Sequence, residues 1–134
     1  MSRQVVATRR QYATIGRRYL ANALDTLGRA LLAKGKPAEA EPLLQEALDT
    51  YAKNPRADDW DAANAQSLLG ECLASRGRRE EAEPLLLAAY HSLQGNPSTP
   101  PQRTRQALRR IIQLYEAWPK PKQAAEWRGR LAPP

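Results

Sequence analysis

The chain has 134 residues, a net charge of +7 and an apolar fraction of 42%. That fits one folded unit or a few short repeats and excludes an assembly of large domains. The longest unbroken apolar run, Leu85 to Tyr90, falls far short of the roughly 20 residues that cross a bilayer, so no membrane partner is expected.

Leu and Ala dominate the apolar residues and Phe is absent, a composition that favours helices. The single cysteine, Cys72, cannot form an internal disulfide and fits a reducing, cytoplasmic setting. Charge is uneven: residues 1–20 hold five Arg and no acid, residues 21–100 sum to −4, and residues 101–134 sum to +6. Basic ends around an acidic middle suit an acidic partner or nucleic acid, and a plainly solvated surface explains the same pattern.

Residues 1–20 read as helix, with Val5, Tyr12, Ile15 and Tyr19 near one face. A capping helix over 1–17 is the expectation, with Gly16 marking a break. The Arg-rich, acid-free composition is also that of a mitochondrial transit peptide. Repeat 1 then spans 18–58. Its first helix, 18–34, carries the apolar stripe Leu20, Leu24, Leu27 and Leu31. Gly35 ends it, where a left-handed cap is needed. Pro37 opens the second helix, which runs to about Ala52 with Ala40, Leu43, Leu44, Ala47, Leu48 and Tyr51 at three-four spacing. Pro42 is placed in or near the first turn, where its missing N–H has no acceptor to lose.

Repeat 2 spans 59–101. Asp58 or Asp59 is the expected N-cap of a helix near 59–76, with Ala62, Ala65, Leu69, Cys72 and Leu73 as its stripe. Gly77 ends it, and residues 80–93 repeat the second-helix pattern. The segment from Leu27 to Leu44 recurs from Leu69 to Leu86 at an offset of 42 residues without a gap. A period of this size marks a repeat architecture.

A degenerate repeat or cap fills 102–134. Ile111, Tyr115 and Ala124 keep the places of Leu27, Leu31 and Ala40. Ile112 replaces Gly28, Pro119 replaces Gly35, so a different turn is expected there, and Arg128 replaces Leu44. Terminal repeats drift in this way because their outer face meets water.

The spaced set Leu27, Gly28, Leu31, Ala40, Leu44, Ala47 and its copy Leu69, Gly70, Leu73, Ala82, Leu86, Ala89 resemble the tetratricopeptide repeat family. The 42-residue period and the Ala-Glu-Pro-Leu-Leu segment resemble its kinesin-light-chain-like subclass. Residues 60–131 also look like the C-terminal repeat region of bacterial serine/threonine kinases, without any kinase catalytic motif. The resemblance implies an all-α, right-handed superhelical array of antiparallel helix hairpins, a single domain whose first helices line a concave groove. The expected groove residues are Asn22, Asp25 and Arg29, then Asn64, Ser67 and Glu71, then Gln106, Arg109, Arg110 and Gln113. A protein or peptide would bind there, with Arg109 and Arg110 meeting acidic groups. Asp25 and Glu71 stand where a carboxylate clamp would need Lys or Asn.

Catalysis is not expected. One histidine, His91, and one cysteine leave no convergent acid–base set. Asp58, Asp59 and Asp61 lack the twelve-residue calcium-loop spacing, so neither metal nor cofactor is expected. Trp60, Trp118 and Trp127 read as packing residues. Nucleic-acid binding through the basic ends and self-association are the competing readings. The first lacks interleaved aromatics; the second rests on an apolar face left open at an incomplete repeat.

Overall fold

The computed structural model describes residues 3–56 and 59–131, with side chains from residue 12 onward. Six helices follow one another: α1 (Arg3–Ala33), α2 (Pro37–Lys53), α3 (Asp61–Ser75), α4 (Arg79–Gly95), α5 (Pro101–Ala117) and α6 (Pro121–Arg128). No strand occurs among the described residues. α1 pairs with α2, α3 with α4 and α5 with α6; α2 also packs on α3, and α4 on α5. The result is an all-α array of helix hairpins, as the 42-residue period predicts.

The small-large code explains the packing. Gly28 and Gly70 let each first helix lie against its own second helix. A Cβ on Gly28 would sit 2.6 Å from Leu44 Cδ2, and one on Gly70 2.7 Å from Leu86 Cδ2. Ala40, Leu44, Leu69, Cys72, Ala82, Leu86, Ala107, Ile111 and Tyr115 belong to one continuous buried cluster. Burying apolar area of this kind is worth about 25 cal/mol per Å² and is the main force holding the units together.

The hairpin turns follow the chemistry of their residues. Gly35 and Gly77 have φ of 74° and 79°, the left-handed region that a side chain disfavours. The amides of Lys36 and Arg78 reach back to the carbonyls of Leu31 and Leu73, both at 2.9 Å. The third turn was expected to differ because Pro119 replaces glycine. Lys120 nevertheless donates to the Tyr115 carbonyl at 2.8 Å, the same closure. Pro119 has no N–H, so the bond that Gly35 makes to Leu32 has no counterpart there.

Several expectations change. Gly16 does not break the helix: the expected cap and the first helix of repeat 1 are one helix, Arg3–Ala33. Tyr12, Ile15, Tyr19 and Leu20 are exposed, and Leu27 is 50% exposed where Leu69 is 4%. The reason is positional: α2 covers that side of α3, whereas no described helix precedes α1. The side chain of Val5 lies outside the described residues, as does Asp58. Pro42 and Pro84 are each the sixth residue of their helix, beyond the first turn. Both are exposed, so the carbonyl that loses its amide donor lies on the water side. Finally, α3 starts at Asp61 behind Trp60. Asp59 serves that end by accepting the Asp61 amide at 3.0 Å.

Candidate peptide-binding face

α1, α3 and α5, the first helices of the three hairpins, touch one another in sequence. Their shared face holds a recess of about 280 Å³ lined by Asn22, Asp25, Arg29, Tyr51, Trp60, Asp61, Asn64 and Arg103. A second, about 160 Å³, lies between α3 and α5 and is lined by Glu71, Arg110 and Gln113 among others. The sequence thus brings Asn22, Asp25, Arg29 and Asn64 together at one place, and Glu71, Arg110 and Gln113 at another.

The first recess contains unmet hydrogen-bonding capacity. Asp25 and Asn64 are only 8% and 5% exposed, yet Asp25 Oδ1 and Asn64 Oδ1 have no hydrogen-bond partner. Arg29 Nε stands 3.5 Å from Asp25 Oδ2, near enough for charge attraction but making no hydrogen bond. Burial raises the pKa of the Asp25 carboxyl, against the opposing pull of Arg29. A buried acceptor without a donor costs about 1–3 kcal/mol, so a ligand offering N–H groups gains by meeting them. Asn22 accepts a hydrogen bond from the Tyr51 hydroxyl, whose pKa is raised, chiefly by burial.

The other expected residues are held differently. Ser67 is fully buried and accepts from Arg110 Nη1 at 3.0 Å. Arg110 Nε also pairs with Glu71 at 3.1 Å. Burial lowers the Arg110 pKa, and Glu71 counters it. Arg110 is therefore already partnered, contrary to its expected role as a ready acidic contact. Gln106 accepts from Arg103 Nη1 at 3.1 Å. Arg109 is exposed, lines neither recess, and makes no hydrogen bond or ion pair among the described residues.

One feature escaped sequence reasoning. Arg18 is 8% exposed and donates to the Asn54 carbonyl at 2.6 Å, to both oxygens of Asp59 at 3.0 Å, and to Asp61 at 2.7 Å. Its guanidinium also lies over the Tyr51 ring. Nothing in the spacing announces it, because the partners lie 36 to 43 residues away. A roomier cleft of about 410 Å³ on the far side of α5, with walls from Tyr90, Thr99, Leu108 and Leu131, was not foreseen either.

The remaining candidate chemistry is structural. Cys72 is buried, its Sγ donates to the Pro37 carbonyl at 3.0 Å, and burial pushes its pKa up to about 11. Trp127 packs edge-on against Tyr90, and Trp60 and Trp118 pack against the core. Among the described residues no cluster of His, Cys, Asp or Glu could hold a metal ion. No described helix is long and apolar enough to cross a membrane.

The repeated hairpins, with glycine under leucine in two successive units, coincide with a family match. Residues 19–94 match the family described as Tetratricopeptide repeat. The chain belongs to the tetratricopeptide repeat family. Tetratricopeptide repeats are in general protein–protein interaction modules and non-catalytic scaffolds. Comparison with curated proteins gives no match. The matched span covers both well-formed hairpins and ends where the tetratricopeptide signature starts to degrade, at the end of α4.

Proposed function

We propose that the face built by α1, α3 and α5 is a concave groove binding an extended peptide or a partner helix, and that the protein is a cytoplasmic, non-enzymatic scaffold. The observation that carries this reading is the pair of buried, unpartnered acceptors Asp25 Oδ1 and Asn64 Oδ1 in one recess. The ligand donates N–H groups to these oxygens, and its acidic side chains meet Arg109. Gln106 and Gln113 extend the polar surface along α5. The 42-residue spacing supports a kinesin-light-chain-like arrangement, and the resemblance of residues 60–131 to kinase C-terminal repeat regions supports a place in the non-catalytic part of a bacterial signalling protein.

The test is selection from a random displayed peptide library with the full chain. Enriched sequences should contain Asp or Glu, and their affinity should fall about tenfold, the scale of a binding anchor, in Asn64→Ala and in Arg109→Glu. The melting temperature of Arg109→Glu should stay within a few degrees of the parent. Selected peptides that bind both variants as well as the parent would remove the groove assignment. A salt-steep gel shift with single-stranded or duplex DNA would favour the nucleic-acid reading instead.

A further inference from the structure

All the large apolar residues that stand exposed among the described residues lie on α1: Tyr12, Ile15, Tyr19, Leu20 and Leu27, at 43% to 71% exposure. At 100° per residue they share about 140° of arc. Arg18, Ala21, Asp25 and Gly28, the packed residues of the same helix, lie on the opposite side. From Tyr12 to Leu27 the stripe is about 22 Å long at 1.5 Å per residue. Monomers rarely leave a contiguous patch of this kind uncovered.

The repeat shows what shape covers it. Positions 42 residues on from Ala23, Leu27 and Ala30 are Ala65, Leu69 and Cys72, all buried, and α2 is the helix packed on that side of α3. The corresponding Ala107 and Ile111 of α5 are fully buried beside α4. In both cases the covering helix is amphipathic and acidic. α2 carries Glu39, Glu41, Glu46 and Asp49 against Lys53, and α4 carries Glu80, Glu81 and Glu83 against Arg79. This half of α1 is basic in sequence: residues 1–20 contain five Arg and no acid, of which Arg18 turns to Asp59 and Asp61 on the packed side and Arg17 is exposed.

We propose that the outward face of α1 docks an acidic amphipathic helix of another protein, laid along α1 as α2 lies along α3. Its apolar stripe covers Ile15, Tyr19, Leu20 and Leu27, and its negative charge answers the net positive charge of residues 1–20. A second copy of this chain is the poorer occupant. Its own α1 brings the same arginines, and residues 21–36 add Arg29, Lys34 and Lys36 against Asp25 alone. The surface is separate from the recess at Asp25 and Asn64.

The experiment titrates the full chain into a fluorescent, helix-stabilised peptide of about 20 residues, long enough to span the stripe. The peptide has leucines at three-four spacing and glutamates elsewhere; a sister peptide has lysines in place of the glutamates. The glutamate peptide should bind at least tenfold more tightly than the lysine peptide. That preference should shrink with added salt, and binding should be lost in the double variant Tyr19→Asp, Leu20→Asp. Arg109→Glu, on the groove side, should leave this binding unchanged, so failure of the groove reading and failure of this one are distinguishable. Circular dichroism of the double variant checks that the fold survives at these exposed positions. Equal binding of both peptides, or no binding, overturns the proposal. So does a doubled mass in light scattering that returns to monomer in the double variant, since the face then belongs to a second copy.

Discussion

Leu86 occupies the space that a side chain at position 70 would need. A Cβ on Gly70 would lie 2.7 Å from both Leu86 Cδ2 and Cγ, and 3.5 Å from the Ala82 carbonyl oxygen. Gly70→Ala removes a glycine from a helix interior, a gain of about 1 kcal/mol, but overpacks the hairpin at a cost of about 1–3 kcal/mol. The expected net is a loss of about 1 kcal/mol. In a Leu86→Ala background the same change should stabilise, because the new methyl enters the vacated space. Urea unfolding of the four proteins measures this reversal of sign. Additive effects would contradict the packing account.

Arg18 ties α1 to the segment leading into α3. Burial opposes its charge, but hydrogen bonds and the charges of Asp59 and Asp61 hold its pKa above the usual arginine value. Arg18→Ala leaves the half-buried Asp59 and Asp61 facing each other, with Arg56 on Asp61 as the remaining counter-charge. A loss of about 3 kcal/mol is expected, the scale of breaking a buried pair. Thermal unfolding checks it. Arg18→Lys should recover less than half of the loss, since one ammonium cannot replace the fork that spans both carboxylates and the Asn54 carbonyl.

Asp25 gives stability a pH dependence of known sign. Its folded pKa is raised by burial, with Arg29 pulling it down less strongly. Between its unfolded value and that raised value the folded state binds more protons than the unfolded one. Stability contributed by the protonated carboxyl is therefore lost as pH rises through the window. Asp25→Asn should flatten this part of the stability–pH curve. The difference between parent and variant, from denaturant unfolding at several pH values, isolates the group from the other carboxylates. Carboxyl-carbon NMR should show Asp25 titrating above the ordinary aspartate value of 3.8.

Cys72 should be inert toward thiol reagents at neutral pH while the protein is folded. With a pKa near 11 and a buried sulfur bonded to the Pro37 carbonyl, its thiolate fraction is negligible. Reaction with a chromogenic disulfide should begin only where unfolding begins. Rapid labelling of the folded chain would show the sulfur to be accessible.

The hairpins were legible because their code is local. Gly28 with Leu44 and Gly70 with Leu86 recur at one offset, and Gly35 and Gly77 declare their turns. What lay beyond reach depends on docking between units. The stripe of Leu20 and Leu27 has the same spacing as that of Ala62 and Leu69, although the first pair is exposed while Ala62 is half-buried and Leu69 buried. Spacing records amphipathicity and says nothing of whether a neighbour is present. Arg110 looked available from its register alone, yet Glu71 and Ser67 across the α3–α5 boundary hold it. The polar face could be placed on the first helices; which of its groups remain unmet could not.

The third turn closes through Lys120 and Tyr115 although Pro119 stands where glycine is usual. A ring at 119, followed by another at 121, narrows the conformations open to the chain before it folds, so less freedom is surrendered when the last hairpin forms. α6 is the shortest helix described and has exchanged a core leucine for Arg128. The far end of the array resists fraying by having fewer places to go.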